Sequence, residues 1–209
     1  FLSSSVSPER PVGMNVVQYQ NLETSEAFIL VEDSPFFPVE DPAFHGFEVE
    51  ADWRFAWGSA RRGRSYRSQR EGVPEAANVQ AMVTSNEAAS SGRQVSLLIV
   101  PDPDVVAVTL YVPADRVRGV EAEGQAMVLG RRGATPQSGS QIPLRFTGLY
   151  GREISLSLKV DGAEEVTAFL SSMRSGVRGK AALVADARPE IAAPVHEGDL
   201  LLQSQTFGF

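Results

Sequence analysis

Residues 46–57, the stretch that decides the fold, read GFEVEADWRFAW. Apolar and polar side chains alternate along it, and this period of two is typical of a β-strand. The apolar face consists of Phe47, Val49, Ala51, Trp53, Phe55 and Trp57. The other face carries Glu48, Glu50, Asp52 and Arg54. We predict a strand whose aromatic face builds the core, because each large apolar side chain contributes about 1.5–3 kcal/mol on burial.

Other parts of the chain show strand patterns too. Residues 141–146 and 154–160 alternate in the same way, and the glycine-bounded residues 148–151 between them predict an antiparallel hairpin. Less regular apolar runs predict strands buried on both faces at 14–19, 27–31, 79–83, 95–100, 105–112 and 126–129. Two final strands are predicted at 180–185 and 199–205.

One segment has a helical pattern. Asp161 can cap a helix, and Glu164 follows three residues later, as in a capping box. Apolar residues at helical spacing then follow, and Gly176 supplies the stop: Val166, Phe169, Leu170 and Met173. The sequence therefore predicts one short amphipathic helix near the C-terminus.

About ten strands joined by short connections favour an antiparallel sheet over a parallel one, which needs a helical crossover between strands. We predict a mainly β fold, an antiparallel β-sandwich or barrel-like domain with one helix. Residues 12–209 are expected to form a single β-rich domain after a flexible N-terminal segment at 1–11.

Composition narrows the possible functions. The chain has 209 residues, a formal net charge of −7, a pI of about 4.9 and no cysteine. An acidic molecule is repelled by phosphate backbones, so nucleic acid is not an expected partner. The lack of cysteine excludes thiolate chemistry and cysteine-ligated metals.

The apolar runs are far shorter than the roughly 20 residues of a transmembrane helix. The polar start after Phe1 is typical of a mature terminus, which predicts a periplasmic or extracellular bacterial protein.

Catalytic signatures are weak. Glu48, Glu50 and Asp52 place successive carboxylates about 7 Å apart on one strand face, a spacing that overlaps that of inverting glycosidases. However, Trp53 and Trp57 belong to the opposite face and could not stack a sugar beside those acids. The two histidines, His45 and His196, both lie near turn residues. We expect no catalytic, cofactor or metal site.

The strongest charge anomaly is a basic cluster in this acidic chain: Arg61, Arg62, Arg64, Arg67 and Arg70, with Tyr66 among them. Guanidinium groups bind carboxylates and phosphates bidentately, so we predict an exposed loop that contacts an acidic protein partner or an anionic glycan. Apolar anchors for the same kind of contact are predicted at Phe36, Phe37 and Phe44, in and just after the proline-containing stretch 35–42.

Two functions follow from these features. We predict a non-enzymatic binding or structural subunit of an envelope, extracellular or other macromolecular assembly, which contacts its partner through the arginine-rich loop. The alternative is a carbohydrate-binding or carbohydrate-active module that uses the surface carboxylates Glu48, Glu50 and Asp52.

Overall fold

The computed structural model describes residues 12–32, 40–51, 64–68, 78–127, 129, 140–190, 192–194 and 198–209. These residues are mainly β, with two antiparallel-rich sheets in a sandwich-like arrangement and one α-helix near the C-terminus, which confirms the predicted fold class. They divide into two compact units. The first is drawn from Phe1–Ala76 and Met173–Gln203, and the second from Ala77–Ser172 and Ser204–Phe209. The single-domain organisation stays a prediction.

The first unit contains short strands, a 3₁₀ turn at Pro42–Phe44 and the α-helix. Its elements are β1 (Val12–Gly13), β2 (Asn15–Asn21), β3 (Ala27–Glu32), β4 (Phe47–Ala51), β5 (Arg64–Ser68), α1 (Lys180–Asp186) and β14 (Ala192–Ala193). β2 pairs antiparallel with β3, β3 with β5, and β5 with β4. β1 pairs parallel with β14.

The core of this unit lies between its sheet and α1. It is built from Met14, Val16, Ile29, Val31, Phe44, Ala181 and Val184. β2 is buried at nearly every position, and Ala27–Val31 of β3 are all buried, as their continuous apolarity predicts. An ion pair between Arg188 and Asp199 fixes the edge of this core, because the Asp199 carboxylate also accepts the backbone N–H of Val16 at 2.9 Å.

The second unit is a sandwich. Its strands are β6 (Val79–Ala89), β7 (Gly92–Pro101), β8 (Val105–Pro113), β9 (Val117–Ala122), β10 (Gln125–Met127), β11 (Gln141–Thr147) and β12 (Ile154–Val160). Five of them form an antiparallel sheet in the order β10-β9-β12-β7-β6. In the facing layer, β11 pairs antiparallel with β8. Val95, Leu97 and Ile99 of β7 and Val108 and Leu110 of β8 are fully or almost fully buried between the layers.

Two more strands, β13 (Thr167–Ser175) and β15 (Leu200–Gly208), contribute residues to both units, since the unit boundaries fall inside them. In the facing layer of the second unit, β13 lies beside β8, and β15 lies beside β13.

The helix predicted from Asp161 to Gly176 is wrong, because Thr167–Ser175 is strand β13. The strand is buried at a period of two, at Ala168, Leu170 and Ser172. Because alanine and serine are small and not strongly apolar, this period is not evident in the sequence. The capping signal has another use: the Asp161 carboxylate bonds to Arg118 at 2.5 Å. The helix lies instead at Lys180–Asp186, where we predicted a strand, and its run of alanine and leucine suits a helix.

The predicted hairpin at 141–160 is also wrong, although both of its strands are present. β11 pairs with β8, whereas β12 pairs with β7 and β9 in the other sheet. The glycine-bounded turn is therefore a connection between two sheets, and its Tyr150 has a positive φ of 46°. The alternation of apolar residues reports burial on one face and does not identify the neighbouring strand.

Residues 79–83 depart from the prediction of two-sided burial. They begin β6, whose positions from Gln80 onward are half-buried or exposed. β9 was not predicted, since Arg118, Gly119 and Glu121 interrupt its apolar pattern. Of the predicted strand at 46–57, the structure describes Phe47–Ala51 as β4, with Phe47 partly buried and Glu48 exposed. The rest of that strand lies outside the described residues, as does the segment 1–11.

Candidate functional site

The arginine-rich segment is a strand over the part that the structure describes. Arg64–Ser68 form β5, which lies between β3 and β4 and pairs with both. The prediction of a loop is wrong for these residues, because hydrogen bonding on both edges places them inside the sheet. The Ser68 hydroxyl is buried and accepts the backbone N–H of Ile29 at 3.2 Å, which anchors the end of the strand.

Arg67 contacts residues of its own unit. Its guanidinium carbon lies 4.2 Å from the centre of the Phe28 ring, and its Nη2 lies 2.5 Å from the Glu26 carboxylate. The side chain of Arg67 is 30% exposed. A stacked and ion-paired guanidinium stabilises the local fold and has fewer donors left for an acidic partner. Arg61, Arg62, Arg70, Phe36 and Phe37 lie outside the described residues, as do the side chains of Arg64 and Tyr66.

Other predicted candidates are dispersed. Phe44 is buried in the core of the first unit, so it is not an exposed anchor. His45 and Glu48 are exposed on the same stretch of chain. Asp52, Trp53, Trp57, His196 and the side chain of Glu50 lie outside the described residues. Within the described ranges, no group of three or more histidine, aspartate or glutamate residues is placed to hold a metal ion.

The candidate site is a strand edge in the second unit. β6 is the outermost strand of the five-stranded sheet, and within the described part of the chain it pairs with β7 alone. Met82 and Val83 are large apolar residues on this strand, and they are 42% and 40% exposed. The backbone N–H and C=O groups along the outer side of such a strand can accept another strand. Sequence analysis missed this feature because a terminal position in a sheet follows from topology.

A β-bulge divides β6 into two runs. The register with β7 shifts between Val83 and Ser85, so Thr84 is an extra residue. The Thr84 hydroxyl donates to the backbone carbonyl of Ser96 at 3.2 Å. The Ser85 hydroxyl donates to the Ser96 hydroxyl at 2.9 Å. The bulge is therefore held to β7 by side chains as well as by the ladder.

The register also assigns the faces of β6. Four residues of β7 alternate with its buried residues: Gln94, Ser96, Leu98 and Val100. The β6 residues opposite them are, in the same order, Glu87, Ser85, Met82 and Gln80. These four β6 residues are therefore on the outer face of the sheet. Ala81, Val83, Asn86 and Ala88 belong to the inner face. Except for Ala81 and Ser85, these eight residues are exposed, so the distal part of β6 is accessible from both faces.

The other outermost strands carry features that discourage pairing. β11 contains Pro143, which has no N–H, and the exposed Arg145. β10 has three residues, and β4 carries Glu48 and Glu50 along five residues. β6 has eleven residues without proline, lysine or arginine, and Glu87 is its one charge. Its bulge is the protective feature that it retains.

A shallow groove of about 420 Å³ crosses the outer face of the same sheet. Ser96 and Ser157 are directly opposite one another on β7 and β12, and Glu121 is opposite Ser157 on β9. Leu98 adds an apolar patch. The groove offers hydroxyl and carboxylate groups in one row, which can hydrogen-bond to a polar ligand.

Comparisons with known proteins give little further information. No protein-family model matches the chain, and no curated protein matches it. Among solved structures, that of BslA, a bacterial hydrophobin, matches with 14% sequence identity and a TM-score of 0.32. The match covers 63% of this chain and 91% of the hydrophobin chain. A likeness at this identity and score implies no shared function. None of the described helices is long and apolar enough to cross a membrane.

Proposed function

We propose that the protein is a non-enzymatic binding or structural subunit that joins a larger assembly by strand addition at β6. The observation that carries this proposal is the outer edge of that strand, with which no other described strand pairs. The strand has Met82 and Val83 exposed and contains no proline, lysine or arginine in eleven residues. In strand addition, main-chain hydrogen bonds supply affinity, and alternate side chains supply specificity.

The contrast between strand edges supports the assignment to β6. Soluble proteins blunt exposed edges because an unprotected edge pairs with other chains. β11 has Pro143 and Arg145 for this purpose, whereas β6 combines length with apolar exposure. A strand that keeps such an edge is suited to take a partner strand in the assembled state.

The test is a lysine on the free edge. Met82→Lys adds a flexible charge of the kind by which soluble proteins block strand pairing at exposed edges, so assembly should weaken by about tenfold or more. Tyr150→Lys is the matched control, because Tyr150 is an apolar residue of the same unit that is 70% exposed outside β6. Assembly is measured by sedimentation of the purified variants alone and with the components that copurify with the wild type.

The expected pattern is loss of assembly in Met82→Lys with an unchanged urea midpoint, and normal assembly in Tyr150→Lys. Equal assembly by both variants would remove β6 from the proposal. Loss of assembly in both variants would mean that added positive charge weakens assembly wherever it is placed, and it would not support a role for β6.

The arginine-rich segment is a separate proposed contact with an acidic partner. It rests on the charge of Arg61, Arg62, Arg64, Arg67 and Arg70. The guanidinium of Arg67 is already engaged by Phe28 and Glu26. Replacing Arg61, Arg62 and Arg64 with serine should weaken binding of an acidic partner and leave the folding midpoint nearly unchanged. Location in the periplasm or outside the cell stays a prediction.

A carbohydrate-binding role is the second candidate, and the groove on the outer face of the five-stranded sheet favours it. Ser157, Ser96 and Glu121 offer donors and acceptors in one row, as sugar hydroxyls require. A glycan array tests this candidate. Binding to a neutral glycan that Ser157→Leu abolishes would support it, and an array without signal would exclude it.

A further inference from the structure

We infer that the strand that pairs with β6 is β6 of a second copy of this chain, running antiparallel about a two-fold axis at the bulge. The inference rests on the proposed strand addition and names its occupant. Two-fold dimers are the commonest assemblies of soluble proteins, and their interface is one surface that complements itself. β6 has three properties that make it complementary to itself.

The first property is charge. Glu87 is the one charged residue of β6, so most self-pairings avoid a contact between like charges. In the register that opposes Met82 to Ser85 of the second copy, Glu87 lies opposite Gln80 of that copy. An amide can donate a hydrogen bond to a carboxylate, so both symmetry-related contacts are favourable.

The second property is the match of faces. In an antiparallel pair, residues directly opposite one another point to the same side of the sheet. The register that opposes Met82 to Ser85 also opposes Ala81 to Asn86, and the members of each pair share a face. The two bulges then face each other, with Val83 of one copy opposite Thr84 of the other. A register shifted by one residue would oppose outer residues to inner ones on both sides of the bulge.

The third property is the backbone itself. β6 contains no proline, so none of the N–H groups that point away from β7 along its outer edge is missing. Met82 and Val83, the two exposed large apolar residues of the strand, lie beside the symmetry axis, so they lie at the centre of the paired region. Five-stranded sheets from two copies would become one continuous sheet.

The dimer should dissociate readily. A pair of eleven-residue strands buries less than the roughly 1,600 Å² of a standard interface, and each copy carries a net charge of −7. We therefore expect a concentration-dependent equilibrium between monomer and dimer.

The decisive experiment is sedimentation of charge variants across a concentration series. Gln80→Glu sets one carboxylate against Glu87 of the opposing copy at each end of the ladder, so the dimer dissociation constant should rise by about tenfold. Adding Glu87→Lys to that variant should restore dimerisation, because opposite charges then meet. Gln125→Glu on β10 is the matched control: it changes net charge equally at an exposed residue and should leave the constant unchanged.

Cysteine cross-linking tests the position of the axis. These 209 residues contain no cysteine, so a single introduced thiol can form a disulfide only with the second copy. Thr84→Cys places the two thiols beside the axis and should give a covalent dimer on mild oxidation. Ala89→Cys is the control, because its two copies would lie roughly 35 Å apart in this register.

The outcomes separate this inference from the proposed function. A wild-type protein that stays monomeric at every concentration, while Met82→Lys still loses its copurifying partner, overturns the second copy and leaves strand addition standing. A dimer dissociation constant that Gln80→Glu leaves unchanged overturns the register. A monomer whose copurifying components are retained by Met82→Lys overturns both proposals.

Discussion

The strands β5 and β6 differ in the charge of their sequences and in their positions within a sheet. β5 contains Arg64 and Arg67, yet it lies between β3 and β4 and is paired on both edges. β6 has one charged residue in eleven, yet it is the outermost strand of its sheet. Charge draws attention to β5, whereas the available backbone hydrogen bonds are on β6.

The difference teaches that charge density and availability are separate properties. Arg67 is stacked on Phe28 and paired with Glu26, so a conspicuous guanidinium has a structural role here. Met82 and Val83 are ordinary residues, and they become notable only because the end of a sheet exposes them. An exposed apolar residue on an unpaired edge indicates an interaction more directly than a partly enclosed cation does.

The largest expected effect is on the packing of β7, the strand that pairs with β6. Gly92 begins β7 with a φ of 132°, and a Cβ atom there would lie 2.1 Å from the backbone carbonyl oxygen of Val160. Gly92→Ala should therefore cost about 3 kcal/mol of the free energy of unfolding, because backbone must move to relieve the clash. Urea denaturation measures this cost.

Gly124→Ala is the control for that prediction. Gly124 also has a positive φ, of 75°, but nothing lies within 4 Å of the added atom. Its cost should be limited to left-handed strain, about 1 kcal/mol. Equal costs for the two substitutions would contradict the close approach of β7 to Val160.

A smaller effect is expected on β5. Arg67→Ala removes the contact with Phe28 and the ion pair with Glu26, and it should lower the free energy of unfolding by about 1 kcal/mol. Glu26→Gln removes the ion pair alone and should cost about half as much. If Arg67→Ala left stability unchanged but weakened partner binding, Arg67 would belong to a contact surface after all.

The smallest expected effect is a salt dependence that distinguishes the two strands. Self-pairing of β6 joins two molecules of net charge −7, so salt should strengthen it a few-fold by screening their repulsion. An arginine contact with an acidic partner should weaken as salt rises. Sedimentation at low and high salt gives the sign, and weaker self-association at high salt would argue for the arginine contact.

The sequence predicts the class of fold well because alternation and apolar runs report burial directly. β2, β3, β8 and β12 lie where their patterns placed them. The sequence does not predict which strands pair. The pattern of β11 and β12 fits a hairpin, but β11 pairs with β8 and β12 pairs with β7. A strand such as β13 fits a helical stripe equally well when its inward residues are Ala168 and Ser172.

The candidate site could not be found from the sequence for a related physical reason. The chain turns at Ser90 and Ser91 and returns along one edge of β6, and no other described strand pairs with the opposite edge. Nothing in residues 79–89 encodes what occupies the other side. Absence of lysine, arginine and proline in a long strand was visible, but its meaning depends on the order of strands in the sheet.

Hydrogen–deuterium exchange of the intact protein at low and high concentration tests most directly whether β6 accepts a strand. Pairing should slow exchange in peptides that cover Val79–Ala89 as concentration rises, while peptides from β11 stay unchanged and serve as the internal reference. Peptides from β5 should not respond, because that strand is already paired on both edges. Exchange in β6 that stays the same in samples with and without self-association would contradict strand addition at this edge.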